Sequence, residues 1–130
     1  MDELPPRASN HVLIVDNDAS VLASLDRLLR VAGLPVMCAP GGEAAIFLLG
    51  EFTPDLVLLD LSMPKVDGFA VLRHIRANPR TAAIPVIMFS AMTDPALRQR
   101  AIDAGATDFW SKIDIDYASL PQRLLALMGK

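Results

Sequence analysis

At 130 residues, 52% apolar and 21% charged, the chain has the length of one domain and the composition of a folded core, which excludes a disordered protein. Twelve Lys and Arg against fifteen Asp and Glu leave a formal charge of −3, which argues against the basic surface of a nucleic-acid binder. The single cysteine, Cys38, excludes an internal disulfide, and with no secretory signal or long apolar span in the sequence a reducing cytoplasm is expected.

Met1 to Asn10 carries Pro5 and Pro6 and no periodic pattern, and is expected to be a flexible tail before a domain over residues 11–130. Val12 to Val15 is an uninterrupted apolar run, as are Leu56 to Leu59 and Val86 to Phe89. Strands buried on both faces of a parallel sheet read this way. Val36 to Ala39 and Thr107 to Ser111 are weaker strand candidates.

Helical spacing fills the gaps. Val21, Leu25, Leu28, Leu29 and Ala32 share one face, between a candidate N-cap at Asp18 and a stop at Gly33. Glu43 to Leu49 follows Gly41 and Gly42. Phe69, Leu72, Ile75 and Arg76 precede Asn78 and Pro79. Leu97, Ala101, Ile102 and Ala104 end at Gly105. The last helix is expected over Tyr117 to Met128, with Leu120, Leu124, Leu127 and Met128 inward and Pro121 in its first turn. Strand and helix alternate five times, which predicts a doubly wound α/β fold with right-handed crossovers.

In open α/β sheets ligands bind beyond the carboxyl ends of the strands. The residues there are Asp16, Asn17 and Asp18 after the first run, Asp60 after the second, Ser90 after the third, and Ser111 and Lys112 at the end of the fifth. Carboxylates and an amide oxygen suit a hard cation such as Mg²⁺. A lysine, a hydroxyl and a metal suit a phosphoryl group, whose transfer needs mainly positioning and neutralisation of charge.

The stretches VLIVDNDASV, DLVLLDLSMPKVDGF, IPVIMFSA and AGATDFWSKI occur in that order, each at a strand end. They resemble the chemotaxis-regulator-like receiver domains of two-component response regulators, over nearly all of residues 11 to 128. The resemblance implies a flavodoxin-like five-stranded parallel sheet in the order 2-1-3-4-5. It implies a signalling switch and not an enzyme beyond its own phosphoryl transfer and dephosphorylation. Asp60 would be the phosphoacceptor, attacking a phosphohistidine of a sensor histidine kinase or histidine phosphotransfer protein. Asp16, Asn17, Asp60 and the Ser62 backbone carbonyl would hold Mg²⁺. Lys112 matches the lysine of the site, Ser90 the switch hydroxyl and Phe109 the switch aromatic. Gly68 matches a turn glycine serving backbone geometry. Output would pass to an effector protein or an attached output domain, with no nucleic acid or membrane bound by this chain.

Two positions depart from the family. Asn17 stands where the family has a second acid, so weaker Mg²⁺ binding is expected; Asn17 also suits the turn itself, and Asp18 is either a partial substitute or only the helix cap. Ile113 stands where the family has a proline after the lysine, and a trans Lys112–Ile113 peptide is expected. Both favour an alternative, a phosphate-independent pseudo-receiver acting as a protein-binding module; Asp60, Ser90 and Lys112 together weigh against it. An aspartyl phosphatase would need an acid two residues after Asp60, where Ser62 stands, and Asp16 to Asp18 would repel a flavin phosphate. His11 and His74 read as surface residues, Cys38 as packed, Met37, Met88, Met92 and Met128 as core or loop filler, Trp110 as packing, and Arg98, Arg100 and Asp103 as a solvated helix face.

Overall fold

The computed structural model describes residues 11–129; the expected tail, Met1 to Asn10, lies outside them. The chain runs β1 (Val12–Val15), α1 (Ala19–Val31), β2 (Val36–Ala39), α2 (Gly42–Glu51), β3 (Leu56–Leu59), α3 (Gly68–Ala77), β4 (Val86–Ser90), α4 (Pro95–Asp103), β5 (Asp108–Ser111), a 3₁₀ turn (Tyr117–Ser119) and α5 (Leu120–Leu127). The five strands form one parallel sheet in the order β2-β1-β3-β4-β5, as expected.

The apolar runs are continuous because both faces of the sheet are covered. Leu13, Val15, Val57, Leu59 and Met88 pack toward α2, α3 and α4 through Leu49, Leu72, Ile75 and Ala101. Val12, Ile14, Leu58, Ile87 and Phe89 pack toward α1 and α5 through Leu25, Leu29, Leu120 and Leu124. Burying side chains of this size is worth about 1.5–3 kcal/mol each, the main force holding helices to sheet. Among the described residues no helix is long and apolar enough to cross a membrane.

Element ends follow local chemistry. Asp18 caps α1: its carboxylate accepts from Ser20 N at 2.9 Å and Val21 N at 3.4 Å. Gly33 and Gly105 take positive φ (89° and 110°) where α1 and α4 stop. β5 begins at Asp108, one residue later than expected; Thr107 N donates to Val86 O at 2.8 Å, and the Thr107 hydroxyl accepts from Val86 N at 3.0 Å. Tyr117–Ser119 is a 3₁₀ turn and not the start of α5, since Pro121 has no N–H to donate back to the preceding turn. Leu120 and Leu124 are buried, with Leu127 and Met128 half-buried.

One expectation needs correction. Cys38 is exposed, not packed, because β2 is an edge strand with fewer neighbours to cover it. The α4 charges Arg98, Arg100 and Asp103 are exposed, as expected, and two of them also make contacts. Arg98 reaches β5, and the Arg100 guanidinium lies 4.4 Å from the centre of the Phe69 ring. Arg76, read as part of a helical face, also ties distant segments: it donates to the carbonyls of Gly105 (2.8 Å), Ala82 (3.0 Å) and Ile84 (2.7 Å).

Candidate functional site

Register builds the site. Val15 pairs with Leu59, so the residues that follow, Asp16 and Asp60, leave the sheet side by side. Asp16 N donates to Ala39 O at 3.1 Å and Asp60 N to Val15 O at 2.8 Å, so both backbones are still held as strand ends. Ser90 pairs with Ser111, and Lys112 N donates to Ser90 O at 2.9 Å. The β5 end is thereby locked beside the β4 end, and Lys112 can reach across the mouth of the sheet.

The Lys112 ammonium bridges the two carboxylates, 2.5 Å from Asp16 Oδ2 and 3.2 Å from Asp60 Oδ1. Asp16 and Asp60 are buried, 2% and 7% exposed. Two close, desolvated carboxylates repel, and one ammonium is shared between them. Burial, then the Asp16 charge, push the Asp60 pKa above the usual carboxylate value, against the opposing pull of Lys112. Burial works against the Lys112 ammonium, but its bond to Asp16 and the two negative charges win, and its pKa is raised. Asp16 Oδ1 also accepts from Asp18 N at 2.9 Å, which orients the carboxylate.

The other candidate residues sit around this trio. Ser90 is buried at the end of β4, with its Oγ accepting from Met92 N at 3.0 Å; the hydroxyl thus bonds the β4–α4 loop in place of the carboxylates. Asn17 and Ser62 are exposed in the loops after Asp16 and Asp60. Phe109 is buried among the side chains facing α4. No cis peptide occurs among the described residues, so Lys112–Ile113 is trans as expected.

Several neighbours carried no signal in the sequence. On β5, Phe109 N donates to Asp108 Oδ1 (2.8 Å) and Phe109 O accepts from Arg98 Nη1 (2.7 Å), while Arg98 and Asp108 pair at 3.2 Å. Burial opposes the Asp108 charge, yet the bonds from Phe109, Trp110 and Arg98 prevail and lower its pKa. The Trp110 indole donates to Asp108 Oδ2 at 2.9 Å, and Arg123 lies over its ring at 4.1 Å. Tyr117 Oη donates to Lys112 O at 2.7 Å.

The residues suit Mg²⁺ in charge and donor type. Asp16 and Asp60 face one another with more negative charge than one ammonium cancels, and every candidate donor is a hard oxygen. Among the described residues no three His, Cys, Asp or Glu converge, and Asp16 and Asp60 are the two carboxylates that meet at Lys112.

The family model for the response regulator receiver domain matches residues 12–124. The chain is 36% identical over 119 residues to the DNA-binding dual master transcriptional regulator RpaA of Synechocystis, covering 92% of this chain and 49% of that one. It is 38% identical over 122 residues to the transcriptional regulatory protein PrrA of Mycobacterium tuberculosis, covering 94% and 51%. The chain spans about half the length of these relatives. The crystallised chemotaxis protein CheY4 of Vibrio cholerae superposes with a TM-score of 0.85 at 26% identity, covering 92% of this chain and 99% of that one.

Proposed function

Because this chain belongs to the response-regulator receiver family, a family of signalling proteins, we propose that it is a phosphorylation-dependent switch whose phosphoacceptor is Asp60. The observation that carries this reading is the Lys112 ammonium held between Asp16 and Asp60 at the strand ends. Donors are a sensor histidine kinase or a histidine phosphotransfer protein, in the cytoplasm. An Asp60 carboxylate oxygen attacks the phosphorus of the phosphohistidine. The new O–P bond forms as the P–N bond breaks, and the nitrogen keeps the electron pair. Lys112 neutralises charge on the transferred group, and the burial of Asp60 keeps competing water low.

Receiver domains generally bind Mg²⁺ at the phosphorylation site. Here Asp16, Asp60, Asn17 and the Ser62 carbonyl are its proposed ligands. The ion supplies Lewis-acid neutralisation of the phosphoryl oxygens.

The aspartyl phosphate draws the Ser90 hydroxyl away from Met92 N toward a phosphoryl oxygen, and Phe109 follows by changing rotamer. The surface of α4, β5 and α5 then presents a different face to an effector or an attached output domain. Hydrolysis of the same acyl phosphate resets the switch.

The test is incubation with Mg²⁺ and a small phosphodonor, followed by intact mass. A single phosphate adduct is expected. No adduct at high Mg²⁺, together with no Trp110 fluorescence response to beryllofluoride, would sink the switch reading in favour of a pseudo-receiver binding module.

Asn17 sets the metal affinity. A unit charge at about 4 Å is worth about 4 kcal/mol gross at an effective dielectric of 20, and water shed by a carboxylate offsets most of it. Asn17→Asp should therefore tighten Mg²⁺ about tenfold, equivalent to about 1.4 kcal/mol, in a Trp110 fluorescence titration. Unchanged affinity would place Asn17 outside the metal set.

A further inference from the structure

Lys112 carries its ammonium on a flexible four-carbon stem, so its aim depends on how firmly its backbone is held. On the amide side, Lys112 N donates to Ser90 O at 2.9 Å. On the carbonyl side the chain leaves the sheet into a turn. There the Ser111 Oγ accepts from Ile113 N and Asp114 N, each at 3.1 Å, and Ile115 N donates to Ser111 O. Ile113 is 72% exposed and adds little packing. The Lys112 carbonyl itself is gripped by the Tyr117 hydroxyl at 2.7 Å. The Tyr117 ring stands edge-on to Phe89, with centroids 6.1 Å apart and planes at 73°. Phe89 is buried in β4, directly before Ser90. Tyr117 therefore connects the Lys112 carbonyl to the rigid strand that already holds the Lys112 amide.

We propose that Tyr117 is a positioning residue: its hydroxyl clamps the Lys112 carbonyl and so aims the Lys112 ammonium at Asp16 and Asp60, setting the maximal rate of phosphoryl transfer. The part that concerns rate rests on the switch reading above; the aim of the ammonium does not. A small displacement of a catalytic group far from the chemistry is enough to slow a reaction. Tyr117→Phe removes the clamp and keeps the ring on Phe89, so the fold persists.

Two measurements on the full chain decide it. The first is the rate of Lys112 acetylation by an amine-reactive ester, read by peptide mass spectrometry with the exposed Lys65 as internal reference. Tyr117→Phe should raise Lys112 labelling about fivefold, the size of one net hydrogen bond, and leave Lys65 unchanged. The second is phosphorylation by a small phosphodonor at saturating Mg²⁺. The maximal rate should fall about fivefold with the half-saturating donor concentration unchanged, a split that a general loss of stability does not produce. Unchanged Lys112 labelling in the folded variant overturns the inference, as does altered labelling with an unaltered maximal rate. A wild type that takes no phosphate sinks the switch reading instead, and the labelling arm still decides whether Tyr117 aims the lysine.

Discussion

Asp60→Asn should abolish the phosphate adduct and, in the metal-free protein, raise stability. An amide cannot form an acyl phosphate, so the first effect is complete. The second follows from the site's electrostatics. Burial and the Asp16 charge raise the Asp60 pKa in the folded chain above its unfolded value. A carboxylate shifted in that direction opposes folding at pH values above both pKa values, and the opposition fades as pH falls through the folded pKa. Asparagine has the same shape, keeps an oxygen for Lys112 and carries no charge to desolvate. The gain should be on the order of 1 kcal/mol, the usual scale when a group kept unfavourable for function is replaced. Urea denaturation in a chelator, at neutral and mildly acid pH, measures it. The stability difference between wild type and variant should shrink as pH is lowered. An adduct on the variant would mean another acceptor, and a variant less stable than wild type would mean that the Lys112–Asp60 contact outweighs the repulsion.

Gly68→Ala should be strongly destabilising, by about 3 kcal/mol, and should slow phosphorylation in whatever fraction remains folded. A Cβ at Gly68 would collide with the Asp60 carbonyl oxygen and lie 2.8 Å from Leu61 Cα. Both obstacles are backbone at the end of β3, so neither can rotate away; the Met88 methyl, at 3.0 Å, can. The same close approach lets Gly68 N donate to Leu61 O at 2.9 Å. The glycine is therefore required for the distance between α3 and the strand that carries Asp60, and not for an unusual φ. Gly50→Ala is the matched control. It lies within α2 with nothing in reach of a new Cβ, and should stabilise by about 0.5–1 kcal/mol. Denaturant midpoints at constant slope report both. A mild Gly68→Ala would show that the β3–α3 loop gives way more easily than its packing suggests.

The two glycines illustrate how unevenly the site could be read from the sequence. That Asp16, Asp60, Ser90 and Lys112 belong to one edge was legible, since each stands at the end of an apolar run or strand candidate. That Gly68 serves backbone geometry was legible from its motif, but the atoms it makes room for were not. Arg98 looked like any other basic residue on an amphipathic helix, yet its guanidinium completes the outer edge of β5 at Phe109. Tyr117 looked like the first residue of the last helix. Its hydroxyl bonds Lys112 because Pro121 delays that helix and leaves a 3₁₀ turn folded back on the loop. Cys38 looked buried because the pattern of β2 does not announce which strand is the edge.

The sequence by itself determined the order of the elements, the layering of helices on both faces and the residues that end each strand. Those features are local: a strand buried on both sides must be continuously apolar, and the first polar residue after it must emerge at the sheet's edge. Only the tertiary structure decided who meets whom there. The Lys112 ammonium reaches Asp16 across 96 positions of chain, and that contact exists because the parallel register sets Val15 beside Leu59 and Ser90 beside Ser111. Register is a property of paired strands, fixed by packing on both faces at once, and no single segment encodes it.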